Sequence, residues 1–214
     1  MDNVINEYSN YCSSFTFKYR NLNTENKQKF NGSYISAKEK LIYLHIDKCA
    51  STSISSALQK SAFIDMINFS EDDINLLLCT KKYRSFCVIR DPVKRWISGI
   101  GEFMNRFDGS IDYIVEQVKN KKYIFDLHTA PQHLSIDPYI TKLTNTYLKM
   151  DSGLEDKINK LILYSNKITL NVERESNLIT KLTCEKIFEK YVKINLNYFY
   201  KLYEKDFILY GKSI

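Results

Sequence analysis

The stretch KLIYLHIDKCASTSISSALQK occupies residues 40–60 and predicts a strand, a loop and a helix in immediate succession. Residues 41–46 form an apolar run interrupted only by His45, as in a buried β-strand. After a loop at residues 47–50, a run rich in Ser and Thr carries three apolar residues at helical spacing: Ile54, Ala57 and Leu58. A strand that leads through a loop to the N-terminus of a helix is typical of α/β folds.

The loop is a candidate phosphate-binding site. The N-terminus of a helix offers free backbone N–H groups and the positive end of the helix dipole. Lys48 stands where its ammonium could reach a phosphate oxygen, and hydroxyls could come from Ser51, Thr52 and Ser53. The same residues also suit an ordinary Ser/Thr N-cap, so both interpretations stay open. The glycines of a Walker A loop are missing, which disfavours a standard ATP or GTP site.

A second stretch, SFCVIRDPVKRWISG at residues 85–99, has the same organisation. Residues 85–89 predict a buried strand, Arg90 follows at its carboxyl end, and Pro92 suits the first turn of a helix. Because ligands of open α/β sheets bind outside the carboxyl ends of the strands, Arg90 is predicted to lie at the same edge as the first loop. Ser98 is about two turns along the helix and could join Arg90 in binding a second phosphate.

Together, DKCASTS and VIRDPVKRWISG resemble the two cofactor-binding signatures of sulfotransferases that use 3′-phosphoadenosine 5′-phosphosulfate (PAPS) and release 3′-phosphoadenosine 5′-phosphate (PAP). The resemblance implies a P-loop-like fold in which the first signature holds the 5′-phosphosulfate. It also implies that Arg90 and Ser98 bind the 3′-phosphate and that no metal is required. The residues that match the first signature are Lys48, Cys49, Ala50, Ser51, Thr52 and Ser53. Cys49 and Ala50 stand where a glycine is frequent in the family.

The resemblance is closest to the small carbohydrate-type branch of the family. A D-x-H-x-x-P-Q element fits Asp126 to Gln132, and a terminal Y-x-x-D-F element fits Tyr203 to Phe207. The branch implies sulfuryl transfer to a hydroxyl acceptor on a small molecule or glycan. The proline-containing loop that carries His128, Gln132 and His133 is where an acid–base or acceptor-binding group is expected.

The general base is predicted to be His128, because histidine has an ordinary pKa of about 6.5 and His128 fills the histidine of the D-x-H-x-x-P-Q element. Asp126 or a backbone carbonyl could hold its tautomer. His45 is expected to lie inside the first strand, buried or turned away from the acceptor, and His133 matches no family position. His128 could instead bind the acceptor. In that case the base would be one of two glutamates outside any matching motif: Glu71 or Glu102.

Two other classes of function stay open. A nucleoside or sugar kinase would use Mg²⁺ and a carboxylate after a strand, for which Asp91 is the candidate. A non-catalytic nucleotide-binding protein would keep Lys48 and Arg90 without a base. Taken alone, Arg90 and Asp91 could also form a surface ion pair. In the segment NVERES at residues 171–176, Arg174 is a further candidate phosphate ligand.

The remaining sequence predicts an irregular N-terminal arm at residues 1–39 and one three-layer α/β domain at residues 40–214. The domain is predicted to contain a mainly parallel sheet of four or five strands, of which two lie at residues 146–150 and 167–170 around a helix at 154–163. Other helices are predicted at residues 70–78, 92–107 and 111–119. A final helix capped by Thr183 should run to Asp206 and bury five residues: Ile187, Tyr191, Ile194, Tyr198 and Leu202.

The composition is that of a soluble, cytoplasmic protein. The net charge is +6, and Lys and Arg are spread through the sequence. An anionic cofactor explains this positive charge as well as nucleic acid does. We therefore predict no nucleic-acid partner. No run of eighteen apolar residues suggests a membrane span. Five scattered cysteines predict reduced thiols, and the three histidines show no metal-binding spacing. Nothing in the sequence indicates an oligomeric state.

Overall fold

The computed structural model describes residue 30 and residues 32–107, 110–126, 128–135, 146–171 and 178–214. One sheet contains five strands: β1 (Tyr34–Ser36), β2 (Leu41–Leu44), β3 (Ile64–Asp65), β4 (Arg84–Ile89) and β5 (Thr146–Lys149). Their order across the sheet is β3-β1-β2-β4-β5. Strands β2, β4 and β5 are parallel neighbours, which places the loops after β2 and β4 at one edge, as predicted.

The prediction of a mainly parallel sheet is wrong, because β1 pairs antiparallel with both β2 and β3 and the sheet is therefore mixed. The turn at residues 37–40 is short, and so short a connection can join only antiparallel strands. Strand β1 lies in the segment that the sequence assigned to the N-terminal arm. Residues 1–29 lie outside the described residues, so the irregular structure predicted for them stays a prediction.

The described helices are α1 (Ser51–Gln59), α2 (Glu71–Asn75), α3 (Pro92–Phe107), α4 (Ile111–Lys119), α5 (Gln132–Ser135), α6 (Leu154–Leu161), α7 (Leu178–Ile187), α8 (Leu196–Leu202) and α9 (Glu204–Lys212). The predicted helices α3 and α4 are confirmed. Helix α2 begins with the predicted capping box, in which Ser70 and Asp73 each bond the other's backbone N–H. It continues as a π-helix to Thr80.

The prediction of a strand at residues 167–170 is wrong. Side chains of α6, and not the backbone of a neighbouring strand, accept hydrogen bonds from the backbone of these residues. Asn159 Oδ1 accepts from the backbone N–H of Ile168 at 2.8 Å, and Glu155 accepts from that of Leu170 at 2.7 Å. At β5, Ile214 exchanges two backbone hydrogen bonds with Tyr147 and Lys149. Ile214, and not the strand predicted at residues 167–170, therefore forms backbone hydrogen bonds with β5.

The predicted helix from Thr183 to Asp206 is also wrong in form. Thr183 lies inside α7, where its hydroxyl donates to the Ile179 carbonyl at 2.8 Å. A π-helix (Phe188–Val192) and a 3₁₀-helix (Lys193–Asn195) then change the helical phase before α8 begins. As a result Ile194 and Tyr198, two of the five predicted core residues, are exposed.

The buried side chains form two main clusters. One joins the sheet to α1, α2 and α6. The other joins α3, α4, α7 and α8 around Trp96, whose indole N–H donates to the Tyr123 carbonyl at 2.7 Å. Helix α3 therefore has one face in this second cluster and another free to meet the loops at the carboxyl edge of the sheet.

Candidate active site

The loop between β2 and α1 has a left-handed backbone at two residues, Lys48 (φ 63°) and Ala50 (φ 58°). Ala50 is the N-cap of α1, and no side chain caps the helix there. The alternative interpretation of a Ser/Thr N-cap is therefore wrong. Because alanine cannot bond the N–H groups of the first turn, the start of α1 is suited to an anionic ligand.

Buried contacts hold this loop in place. A left-handed backbone costs a residue other than glycine about 1–2 kcal/mol, so the surrounding structure must impose it. The fully buried Cys49 donates its Sγ–H to Gln132 Oε1 at 3.3 Å. Burial raises the pKa of the Cys49 thiol to about 11, so it stays a neutral donor. Of the hydroxyls after it, that of Ser53 donates to the Asn171 carbonyl at 2.8 Å, whereas Thr52 is exposed.

Arg90 joins the two sequence signatures. Its Nη1 donates to the Lys48 carbonyl oxygen at 3.2 Å, so the ends of β2 and β4 meet as predicted. Burial lowers the pKa of the Arg90 guanidinium, because a cation partly removed from water is destabilised. Asp91 caps α3 by accepting from the backbone N–H of Lys94 at 2.9 Å. The Arg90 side chain therefore contacts the first loop, whereas the Asp91 side chain caps α3.

Gln132 joins three segments of the site and is fully buried. Its Oε1 accepts from the Arg90 backbone N–H at 3.1 Å as well as from Cys49, and its Nε2 donates to the Arg90 carbonyl at 2.6 Å. Both polar atoms of the Gln132 side chain are therefore bonded inside the protein, which gives this residue of the predicted acceptor loop a structural role. It fixes the loop after β4 to the loop after β2.

His128 is held by Asp126. The imidazole Nδ1 lies 2.7 Å from Asp126 Oδ2, while Asp126 Oδ1 accepts from the backbone N–H groups of His128 and Thr129 at 3.0 and 3.1 Å. An ionised Asp126 places the proton on Nδ1 and leaves Nε2 as the proton acceptor. The loop packs tightly on α3, since a Cβ at Gly99 would lie only 2.3 Å from the His128 carbonyl oxygen. Gly99 therefore permits this close approach.

The C-terminal helix α9 supports the same loop. Buried Asp206 accepts from the backbone N–H groups of Gln132 and His133 at 2.6 and 2.9 Å, and it lies 2.7 Å from His133 Nδ1. The Tyr203 hydroxyl donates to the Thr129 carbonyl. The Y-x-x-D-F element thus stabilises the D-x-H-x-x-P-Q element, and His133 is engaged in that support.

One face of α3 meets the first loop. Glu102 Oε2 lies 2.9 Å from the Lys48 ammonium, and buried Arg95 donates to the Asp47 carbonyl at 3.2 Å. Ser98 falls between Arg95 and Glu102 at helical spacing, and so it lies on the same face. The hydrogen bond from Lys48 lowers the pKa of Glu102 to about 2, which makes Glu102 a weak base.

A family model described as the sulfotransferase family matches residues 31–213 of the chain. The chain belongs to the sulfotransferase family. No curated protein sequence and no solved structure matches it.

Some residues of this sulfotransferase site were not found from the sequence. Arg95 contacts a loop far from it along the chain and gave no local signal. Glu102 was predicted only as an alternative base, and its contact with Lys48 was not predicted. Asp47 lies 3.1 Å from His45 Nε2, and this hydrogen bond is the main cause that lowers the pKa of Asp47 to about 2. The prediction that His45 lies inside the first strand is wrong, because His45 directly follows β2 and its side chain is 24% exposed.

Two predicted residues, Glu71 and Arg174, have side chains that the structure does not describe. Glu71 begins α2, which follows the edge strand β3, and its side chain is not among those described. Arg174 lies outside the described residues. Within the described ranges, no helix is long and apolar enough to cross a membrane. In the same part of the chain, no group of three or more His, Cys, Asp or Glu side chains could hold a metal ion.

Proposed function

We propose that this sulfotransferase transfers the sulfuryl group of PAPS to a hydroxyl group of a carbohydrate. The observation that carries the proposal is the hydrogen bond from Arg90 to the Lys48 carbonyl, which unites the two signatures at one edge of the sheet. Two cationic side chains and an uncapped helix N-terminus then lie together. This donor set suits a ligand with two separate phosphate groups.

The residues at this edge of the sheet fit PAPS as the sulfuryl donor. The N–H groups at the start of α1, with the exposed Thr52 hydroxyl, would hold the 5′-phosphosulfate. Arg90 and Ser98 would hold the 3′-phosphate, and the partly desolvated Arg90 gains from an anionic partner. When bound, PAPS supplies an activated sulfuryl group whose leaving group is a phosphate. Lys48 would donate to the oxygen that becomes charged as the sulfur–oxygen bond breaks.

His128 would accept the proton of the attacking hydroxyl. Asp126 Oδ2 lies 2.7 Å from His128 Nδ1, and a proton between these two atoms would leave Nε2 to accept the proton of the hydroxyl. The Asp126 carboxylate would also stabilise the imidazolium that forms, as carboxylate partners of catalytic histidines do. A carbohydrate acceptor is supported by the D-x-H-x-x-P-Q element of the carbohydrate-type branch. Glu102 is a poorer candidate for the base because its pKa is about 2.

The geometry favours this proposal over the two other classes. A kinase would use Asp91 to hold Mg²⁺, but the Asp91 carboxylate caps α3. A protein that only binds nucleotides has no use for an oriented imidazole beside the site. The His128–Asp126 pair is therefore the feature that favours catalysis.

A transfer assay tests the proposal. Wild-type protein is incubated with PAPS and a panel of neutral and anionic oligosaccharides, and products are detected by mass spectrometry together with released PAP. We expect a sulfated product that requires PAPS and forms on the order of 10²-fold or more slowly in Lys48→Ala. A product formed from ATP and Mg²⁺ but not from PAPS would contradict the proposal.

A further inference from the structure

Lys48 forms an ion pair that reaches across the site. Its ammonium lies 2.9 Å from Glu102 Oε2, and Glu102 Oε1 lies 2.6 Å from Arg106 Nε. Lys48 and Glu102 are both largely shielded from water, with side chains 20% and 27% exposed. Arg106 is one helical turn beyond Glu102, and it is more exposed. Glu102 is thus held between a cation of the site and a cation of its own helix.

This arrangement restrains a side chain that is otherwise flexible. The Lys48 ammonium is carried on a four-carbon chain with several rotatable bonds, and its three N–H groups can each donate. The contact with Glu102 uses one N–H group and fixes the position of the ammonium. Two N–H groups remain for a ligand. An ammonium already held in position does not have to be ordered during the reaction.

The negative charge of Glu102 also has a cost for ligand binding. A carboxylate so close to Lys48 repels an anionic group that approaches the same ammonium. Arg106 reduces this repulsion because it neutralises Glu102 from the other side. The group as a whole therefore keeps a net positive charge towards the ligand.

We propose that Glu102 is a positioning residue that orients Lys48 for transfer, at the expense of nucleotide affinity. This inference rests on the proposed function of Lys48. It assigns Glu102 a role through Lys48, not as a base. It also gives Arg106 a role: its positive charge reduces the repulsion between the Glu102 carboxylate and an anionic ligand.

Two measurements test the role of Glu102 with probes that need no identified acceptor. Calorimetry gives the affinity for PAP, and sulfate released from PAPS gives transfer to water, in which a water oxygen bonds sulfur, the bond to the 5′-phosphate breaks and a proton is lost. We expect Glu102→Gln to bind PAP several-fold more tightly and to release sulfate about tenfold more slowly. The control is Glu116→Gln, which removes the same charge from the exposed side of α4 and should change neither quantity.

Further variants separate positioning from a structural role. In the Lys48→Ala background, Glu102→Gln should cause no further loss of rate, because its effect passes through Lys48. Arg106→Gln should weaken PAP binding, the opposite of the effect of Glu102→Gln. If Glu102→Gln behaves like Glu116→Gln, or weakens binding and lowers the melting temperature together, the inference is wrong. A wild-type protein that fails to bind PAP overturns both this inference and the proposed function.

Discussion

The loop that carries Lys48 and the loop that carries His128 meet at one edge of the sheet but are stabilised in opposite ways. The first has left-handed residues at Lys48 and Ala50 and begins a helix that no side chain caps. In the second, Asp126 and Asp206 accept hydrogen bonds from the backbone N–H groups. A loop with unused donors is suited to receive a ligand, whereas a loop with its donors bonded internally holds one side chain still.

The largest expected effect comes from removing the cation of the first loop. Lys48→Ala should reduce turnover on the order of 10²-fold or more, with a smaller loss of PAP affinity, because the charge matters most as the leaving oxygen becomes charged. Steady-state kinetics and calorimetry on the same preparations measure the two effects. Lys60→Ala, at the exposed C-terminal end of α1, is the control and should behave like the wild type. An unchanged rate in Lys48→Ala would dismiss the role of Lys48.

The next effect concerns the side chain that the second loop holds. His128→Gln should reduce turnover on the order of 10²-fold and remove the acidic limb of the pH–rate profile, because the proton acceptor is lost. The profile is measured with saturating PAPS and an acceptor found in the transfer assay. Should both His128→Gln and His128→Ala keep that limb and most of the turnover, the base would lie elsewhere.

Overpacking the second loop should destabilise the protein. Gly99→Ala places a Cβ where only 2.3 Å separates it from the His128 carbonyl oxygen, so the loop must move away from α3. We expect a loss of about 2–3 kcal/mol in the free energy of unfolding, measured by urea denaturation. Gly211→Ala is the matched control, since a Cβ there meets nothing within 4 Å. Equal stability of the two variants would contradict the close packing of the loop.

Removing the backbone strain at Ala50 in the first loop should have the smallest effect, and this effect is on stability. Ala50→Gly should stabilise the ligand-free protein by about 1 kcal/mol, because glycine adopts φ 58° without the penalty that alanine incurs. Ala57→Gly, inside α1, should have the opposite sign, since glycine weakens a helix interior. Urea denaturation measures both variants. A destabilised Ala50→Gly would mean that Ala50 is not strained.

The difference between the two loops also explains what the sequence could predict of the fold. The strand-loop-helix units at residues 40–60 and 85–99 carry their signals locally, in apolar runs and a first-turn proline, and both were predicted. The pairing of β1 and the bonds between β5 and Ile214 depend on contacts between distant segments. Residues 167–170 look like a strand locally, but the side chains of α6 provide their hydrogen bonds.

The same distinction applies to the site. Lys48, Arg90 and His128 were predicted because they fall in recognisable motifs, and the structure brings the loops of the first two into contact. Glu102 meets Lys48 across 54 residues of sequence, and Gln132 meets Cys49 across 83. No periodicity or spacing reports such partners. Asp126, two residues from His128, was predicted from its motif, whereas the side chains that orient the site from distant segments become visible only in the folded protein.

Calorimetric titration with nucleotides tests the central claim, that the first loop and Arg90 bind a 3′-phosphorylated nucleotide. The wild type should bind PAP more tightly than ADP, or than ATP with Mg²⁺. Arg90→Ala and Ser98→Ala should each weaken PAP binding by about tenfold or more, because a hydrogen bond to a charged phosphate is lost, and leave adenosine 5′-phosphosulfate nearly unaffected. A preference for ATP with Mg²⁺, or an equal loss for both adenosine nucleotides in Arg90→Ala, would contradict the account.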